Sequence, residues 1–459
     1  MTHRTPGLGD IAARRLASQP VLAVVIGLVG GIVAWFRLDG ATRDTLWAED
    51  GQLFLVGNDA YGPVDSVFRS YAGYLHVVPR LLSDVAAPLG SLEGHAMTVA
   101  ALSCLTVGAI SSLVFVCTHG VIESTVIRIL VASVTVLVPS GPIETTGNLA
   151  NLHWYFMWLA PWLLLARPSR WGQAIGLGVV GLLAGLTEIQ VALFLPLMIF
   201  RLRDRLIWPA AVGLAVGALA QIVTSVTQPR PSPTGSVPGV LDQVQGYLLN
   251  VVVPLYQPSF AGPRGLLSDH GWWVAVVLAV PFVAALVILV VHAVPIAARR
   301  LNDPRVMTVA AILLGALVPF GGALFLNRQP YLDFDAFALA DLALRTPLRY
   351  GVVPSMFLLA AVLLCLDLVH VRASRWAPAV VWTGMAGVLA LLLWHVGPQT
   401  SWRSDGPRWS ASVEAAQQAC REGNAPPPVR VAPSGSWGIS LTCDAQGRAV
   451  DPRPTIIAP

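Results

Sequence analysis

The chain has 459 residues, of which 55% are hydrophobic and only 12% are charged, and its formal net charge is +4. With a mean hydropathy of +0.66, this composition excludes a soluble globular protein and predicts a polytopic membrane protein. No basic stretch has the pattern of a nucleic-acid-binding surface. The sequence also lacks a glycine-rich phosphate loop, a zinc-type Cys/His spacing and a nucleophile elbow, so it predicts neither a metal nor another cofactor.

Apolar stretches predict about eleven helices that cross the hydrocarbon layer of a membrane. The first stretch follows Arg4, Arg14 and Arg15, and no small-residue cleavage site comes after it, which favours a retained helix over a cleaved signal. The predicted spans lie at residues 20–36, 96–116, 125–138, 152–166, 172–187, 188–200, 206–226, 272–294, 306–326, 353–370 and 377–396.

The arginines favour one orientation of these spans. If the N-terminus lies in the cytoplasm, most of the arginine-rich short loops also lie there, as the positive-inside rule expects. An odd number of spans then places the C-terminal tail outside. The arginines of the predicted cytoplasmic loops are Arg167, Arg170, Arg201, Arg203, Arg205, Arg299, Arg300, Arg305, Arg372 and Arg375.

A single domain boundary is predicted near residue 397. Residues 1–396 form the transmembrane domain, and residues 397–459 form a small extracytoplasmic cap, whose prolines, glycines and short alternating runs predict a strand or two. Cys420 and Cys443 share this tail, so an oxidising compartment would allow a disulfide between them. On the chain-entropy estimate, such a bond stabilises the cap by roughly 3 kcal/mol.

Two adjacent acids, Glu49 and Asp50, come soon after the first span, inside the run from Trp47 to Leu55. Aromatic and apolar neighbours desolvate a carboxylate and raise its affinity for protons, which suits a general base. Adjacent residues point in different directions, so one acid would act as the base and the other would orient substrate or backbone. Asp50 is the favoured base, although two solvated acids at a helix end would give the same pattern.

The rest of the first long loop predicts an amphipathic helix that lies on the membrane and begins near Pro79. Arg80 and the preceding His76 are predicted to face the substrate and to bind a lipid-linked phosphate, because guanidinium suits phosphate oxygens. The alternative is an exposed ion pair between Arg80 and Asp84, one helical turn apart.

Residues 144–154 combine a carboxylate, amides and an imidazole with aromatic side chains, which is typical of sugar binding. Glu144, Asn148, Asn151 and His153 are the predicted substrate-binding residues of this cluster. Helix capping by Asn148 or Asn151 explains the amides equally well.

Two further groups complete the predicted site. Glu188 lies between apolar runs, where a carboxylate either faces a cavity or sits in an external turn. Arg345 and Arg349, with Tyr350 beside them, lie at the lip of a predicted span and would hold a phosphate leaving group, or else contact lipid headgroups.

The layout resembles the C-type (GT-C) integral-membrane glycosyltransferases: paired acids in a first external loop, a membrane-parallel helix, many spans and an external cap. Glu49 and Asp50 match the acidic motif of that family. The resemblance implies a polyprenyl-phosphate sugar donor and an acid that deprotonates an acceptor hydroxyl, while external arginines stabilise the lipid phosphate. The implied acceptor is a glycan or glycolipid of the cell envelope.

The expected location is therefore a bacterial plasma membrane, with the active site on the extracytoplasmic side. A polysaccharide polymerase or ligase is the nearest alternative, and a lipid-linked glycan flippase is another. A flippase would place charged residues at mid-membrane, where only Glu188 is a candidate. The expected partners are lipid-linked sugar, acceptor and membrane lipid, and the sequence leaves the oligomeric state open.

Overall fold

A computed structural model describes residues 8–230, 235–259, 262–334, 348–371, 377–433 and 437–456. Most of these residues are helical, and seven helices are long and apolar enough to cross a membrane. The α-helices, in chain order, are α1 (Leu8–Phe36), α2 (Gly40–Arg43), α3 (Val56–Tyr61), α4 (Pro63–Val67), α5 (Val77–Leu89), α6 (His95–Cys117), α7 (Thr125–Leu137), α8 (Gly141–Glu144), α9 (Leu152–Leu165), α10 (Trp171–Gly185), α11 (Trp208–Thr227), α12 (Val240–Tyr247), α13 (Gly262–His270), α14 (Trp272–Ala297), α15 (Pro304–Asn327), α16 (Arg349–Val371), α17 (Ala377–Trp394) and α18 (Trp409–Arg421).

Each predicted span falls on a helix, which confirms the all-α membrane-type fold of the spanning region. The seven segments of membrane length are Gln19–Phe36, His95–Gly120, Thr125–Glu144, Arg205–Thr227, Trp272–Ala297, Pro304–Asn327 and Arg349–His370. The other predicted spans form shorter helices, including a 3₁₀ helix at Ile189–Arg201. The count of eleven spans and their orientation stay predictions.

Helix α9 lies at the centre of the bundle, and all of its residues are buried. Its Trp158 ring packs edge-on against Trp162 and Phe357, at centroid distances of 5.3 and 4.8 Å. The Trp158 indole N–H donates to Thr135 Oγ1 at 2.9 Å, which satisfies the polar atom of an otherwise apolar side chain. The middle of the bundle is therefore closed by aromatic packing.

Glycines let α10 and α11 pack backbone against backbone. A Cβ added to Gly217 would lie 2.6 Å from the backbone of Gly185, and one added to Gly213 would lie 2.2 Å from the carbonyl oxygen of Gly178. Small residues at such crossings allow the close approach that favours helix association in lipid. This contact fixes the end of α10, directly before Glu188.

Helix α5 is amphipathic as predicted. Leu81, Val85 and Leu89 form an exposed apolar stripe, with 40%, 46% and 65% of their surface accessible. The polar residues Arg80 and Ser83 face the interior of the protein and are buried. An exposed apolar stripe at one-turn spacing is typical of a helix that lies against lipid.

The C-terminal tail folds into α18 and a three-stranded antiparallel sheet of order β1-β2-β3. The sequence predicted one or two strands, so the sheet has at least one more strand than expected. The strands are β1 (Val429–Arg430), β2 (Trp437–Cys443) and β3 (Ala449–Ile456). The predicted disulfide is confirmed, because Cys420 of α18 is bonded to Cys443 of β2. The cap rests on the first long loop, where Trp409 donates its backbone N–H to Asp44 O at 2.6 Å and its indole N–H to Leu92 O, also at 2.6 Å.

Candidate functional site

A cavity of about 690 Å³ opens where the first long loop, the ends of several helices and the cap meet. Its floor comes from the start of α9 and the turn before the 3₁₀ helix, and its roof includes Trp437 of the cap. The cap is held there by a hydrogen bond from Ala432 N to Leu46 O at 2.9 Å, beside the acidic pair. The ionisable residues that line the cavity include Glu49, His76, His153, Glu188, Arg230 and Arg349.

The two acids of the pair point in different directions, as expected for neighbours in a helical turn. Asp50 is 1% exposed and does not line the cavity; its carboxylate accepts the backbone N–H groups of Leu149 and Ala150 at 3.0 and 2.8 Å. Glu49 lines the cavity, and its Oε2 atom is buried without a hydrogen-bond partner among the described residues. The geometry therefore does not support the preference for Asp50 as base, because both of its oxygens are already used to hold the backbone before α9.

Burial raises the pKa of both acids. The pKa of Glu49 lies above its usual value because its carboxyl group is desolvated, and the positive charge of Arg349 opposes the shift. Burial raises the pKa of Asp50 to about 7. The hydrogen bonds from the two backbone amides and the positive charge of nearby Arg403 act in the opposite direction, towards a lower pKa. Glu49 is thus a carboxyl group at the cavity wall with increased proton affinity and one oxygen, Oε2, without a partner among the described residues.

His76 faces the same cavity from the N-terminal end of α5. Its ring lies 4.2 Å from that of Tyr74 and 5.8 Å from that of Phe54, and its Nδ1 is buried with no hydrogen-bond partner in the part of the chain that the structure describes. Burial lowers the pKa of His76 well below its usual value, so the imidazole is neutral at physiological pH. A neutral His76 can exchange a hydrogen bond with a substrate hydroxyl but cannot supply a positive charge to a phosphate.

The floor of the cavity holds a buried pair between His153 Nδ1 and Glu188 Oε2. The other oxygen of Glu188 accepts the backbone N–H of Gln190 at 2.8 Å and so caps the 3₁₀ helix. Glu188 therefore faces the cavity, and it also lies in the turn before the 3₁₀ helix. The cavity position and the turn position that the sequence offered as alternatives thus occur together. It orients the imidazole of His153 within the cavity.

Glu144 and Arg349 form a second pair. The Glu144 carboxylate forms an ion pair with the guanidinium of Arg349. It also accepts a hydrogen bond from the Arg349 backbone N–H at 3.0 Å. Glu144 is 2% exposed and does not line the cavity, which argues against direct sugar binding. It instead holds Arg349 at the cavity wall, next to Tyr350, whose ring lies 5.8 Å from that of Trp154.

The two predicted amides mainly hold the loop before α9 together. Asn148 Oδ1 accepts the backbone N–H of Asn151 at 2.9 Å, and Asn148 Nδ2 donates to Glu144 O at 2.7 Å. Asn148 is fully buried, whereas Asn151 reaches the cavity. Neither amide caps α9, because its N-cap residue Asn151 makes no side-chain capping hydrogen bond and Asn148 bonds the loop before the helix.

Arg80 does not face the cavity. Its guanidinium lies 5.1 Å from the Phe54 ring and 3.5 Å from Leu53 O. The alternative ion pair is not formed either, because Asp84 accepts hydrogen bonds from Asn58 and Ser66. Arg80 therefore packs the first long loop onto α5, and the geometry does not support a phosphate-binding role.

Arg345 lies outside the described residues. Sequence reasoning also missed two arginines near the site. Buried Arg403 of the cap region donates to Gly147 O and Thr146 O, both at 2.6 Å, and exposed Arg230 lies on the cavity rim, where it donates to Leu326 O at 3.4 Å. Neither stands in a recognisable motif, so the sequence carries no signal for them.

The arrangement combines a carboxyl group with one unpartnered oxygen among the described residues, a neutral imidazole, a carboxylate-oriented imidazole and two guanidinium groups in one cavity. Aromatic rings flank them, which provides apolar surfaces for stacking. Such a set can bind a polyhydroxylated head group, accept a proton from a hydroxyl and stabilise a leaving anion. No family model, curated protein or solved structure matches the chain. The aromatic residues of the wall are Trp47, Tyr71, Tyr74, Trp154, Tyr350 and Trp437.

Proposed function

We propose that the protein is a membrane glycosyltransferase that moves a sugar from a polyprenyl-phosphate donor to a cell-envelope glycan or glycolipid. The observation that carries this proposal is the buried, unpartnered Oε2 of Glu49 in an aromatic-walled cavity. The resemblance of the layout to C-type glycosyltransferases supports it.

In the proposed reaction, Glu49 accepts the proton of an acceptor hydroxyl as that oxygen attacks the anomeric carbon of the donor. The bond between that carbon and the phosphate oxygen breaks, and polyprenyl phosphate leaves with the electron pair. Arg349 lies at the cavity wall, where its positive charge stabilises the developing phosphate. Asp50 acts indirectly, since it fixes the backbone that carries Asn151 and His153.

The proposed topology has eleven spans, with the N-terminus in the cytoplasm of a bacterium and the cavity, cap and disulfide outside. The arginine distribution and the disulfide support this orientation. A flippase is less well supported, because a translocated sugar needs a polar route and the aromatic packing around Trp158 closes the bundle below the cavity.

The donor class is tested with membranes that contain the protein and a labelled sugar presented on polyprenyl phosphate, on polyprenyl diphosphate or on a nucleotide. We expect labelled glycan or glycolipid only from the monophosphate donor. Membranes that lack the protein are the control. Equal transfer from the nucleotide sugar would contradict the proposed donor, and movement of intact lipid-linked sugar across the membrane without transfer would favour a flippase.

The pH dependence of transfer should report the proton affinity of Glu49. Only the ionised carboxylate can accept the acceptor proton, so kcat/KM should rise with pH and level off above the pKa of Glu49. Because burial raises that pKa, the midpoint should lie above about 4.3, the ordinary value of a glutamate. Initial rates between pH 4 and 9 would measure it, and a flat profile across this range would argue against a glutamate base.

A further inference from the structure

A second cavity, of about 450 Å³, lies at the opposite end of the bundle from the candidate active site. Three elements run between the two cavities. Helix α9 contributes His153 to the first cavity and Leu165 to the second. The 3₁₀ helix contributes Gln190 to the first cavity and Arg201 to the second. Helix α15 runs in the opposite direction, from Met307 at the second cavity to its C-terminal end at the first.

Arginines dominate the charge of this second cavity. Arg201 has a structural role, because its guanidinium donates to the carbonyl oxygens of Leu164 and Ala166 at 2.7 Å each and pairs with Asp204. It thereby satisfies carbonyl groups at the C-terminal end of α9, which the helix itself leaves unpaired. Asp204, the acid among the described residues that line this cavity, is thus already paired.

Arg167 and Arg203 also line the cavity, are exposed, and have no acidic partner among the described residues. The side chain of Arg167 lies across Gly120, where an added Cβ would come 2.5 Å from its Cδ. Arg167 is also close enough to Arg201 for their charges to repel. The cavity therefore presents two positive charges without an acidic partner among the described residues. The aliphatic part of the Arg167 side chain is positioned by its contact with Gly120.

The remaining wall is largely apolar. Leu165, Phe200 and Met307 contribute to it, together with Pro168 and Pro304. A free phosphate ion would gain nothing from these side chains, whereas a phospholipid presents a phosphodiester next to its glycerol and acyl chains. Basic pockets between membrane helices, on the side that faces the cytoplasm, are a recurring form of headgroup recognition.

We propose that this cavity is a binding site for the phosphodiester headgroup of an anionic membrane phospholipid, held by Arg167 and Arg203. The lipid would brace the loop after α9 against the loop after the 3₁₀ helix, at the end of the elements that form the floor of the first cavity. This site does not depend on the proposed transferase activity.

The test is native mass spectrometry of the full chain in detergent, titrated with phosphatidylglycerol, phosphatidylcholine or inorganic phosphate. We expect one tightly bound phosphatidylglycerol, with weak phosphatidylcholine binding. The double variant Arg167→Gln/Arg203→Gln should bind phosphatidylglycerol about 25-fold more weakly, on the order of fivefold for each arginine near a lipid surface. The matched control is Arg170→Gln/Arg205→Gln, which removes the same charge from the same two loops at exposed positions that do not line the cavity.

If the control variant bound phosphatidylglycerol as weakly as the double variant, the proposal would be overturned. The loss of binding would then come from reduced surface charge in general and not from the cavity. Binding of inorganic phosphate as tight as that of phosphatidylglycerol would overturn the assignment to a lipid. If the double variant fails to fold, the single variant Arg203→Gln should still bind phosphatidylglycerol about fivefold more weakly than the wild type. Unchanged binding in Arg203→Gln would also contradict the site.

Discussion

Replacing Glu49 with glutamine is expected to lower the rate of sugar transfer by about a thousandfold, the middle of the range for loss of a general base. Glutamine keeps the size of the side chain but cannot take up the acceptor proton at any accessible pH. The Oε2 atom of Glu49 has no hydrogen-bond partner in the described structure, so little of the effect should come from lost packing. The measurement is kcat for labelled sugar transfer in membranes, with KM expected to change little.

Two control variants separate this effect from others. Glu93→Gln removes an exposed carboxylate from the same long loop, at a position that does not line the cavity, and should leave transfer unchanged. Asp50→Asn should act through stability, because an amide cannot accept both backbone N–H groups that the Asp50 carboxylate now accepts. If Asp50→Asn abolished transfer in a fully stable protein while Glu49→Gln stayed active, the assignment of the base would have to be reversed.

Replacing Arg349 with alanine is expected to destabilise the fold by about 3–5 kcal/mol. The change leaves the carboxylate of Glu144 buried without its guanidinium partner, and an uncompensated buried charge is far more costly than the loss of a contact. The backbone N–H of residue 349 would remain as a donor to that carboxylate. Thermal unfolding of the purified protein would measure the effect as a lowered Tm.

The pair between Arg305 and Asp303 provides the matched comparison. It joins the same two chemical groups, but the Arg305 side chain is 57% exposed, so Arg305→Ala should cost only about 0–1 kcal/mol. The double variant Glu144→Gln/Arg349→Ala should recover part of the stability lost in Arg349→Ala, since it removes the stranded charge. Equal losses in Arg349→Ala and Arg305→Ala would show that the Glu144 site is not desolvated.

Helix positions were predictable because a helix that is buried in lipid or in protein needs the same apolar composition. The sequence could not separate these two environments: the apolar run at 152–166 predicts a span, and only the structure shows that α9 is surrounded by protein along its whole length. The cap disulfide was predictable because only two of the cysteines share a polar segment.

The acidic pair was located from sequence, but the role of each acid was not. Which carboxylate faces the cavity depends on backbone amides 99 and 100 residues away from Asp50. Glu144 likewise takes its role from Arg349, 205 residues along the chain. Such pairings arise only from packing, so a local pattern can show that an acid is unusual without showing what it binds.

In the proposed topology, the short central helix α9 would also set the depth of the proposed reaction in the membrane. Its fourteen residues rise about 21 Å, less than the roughly 30 Å of the hydrocarbon layer. With a cavity at each end, the dry barrier between the two sides would be thinner here than the surrounding bilayer in the proposed topology. In the proposed reaction, the phosphate of a lipid-linked donor would then stay at the polar edge of the hydrocarbon, where the cavity supplies water and polar groups.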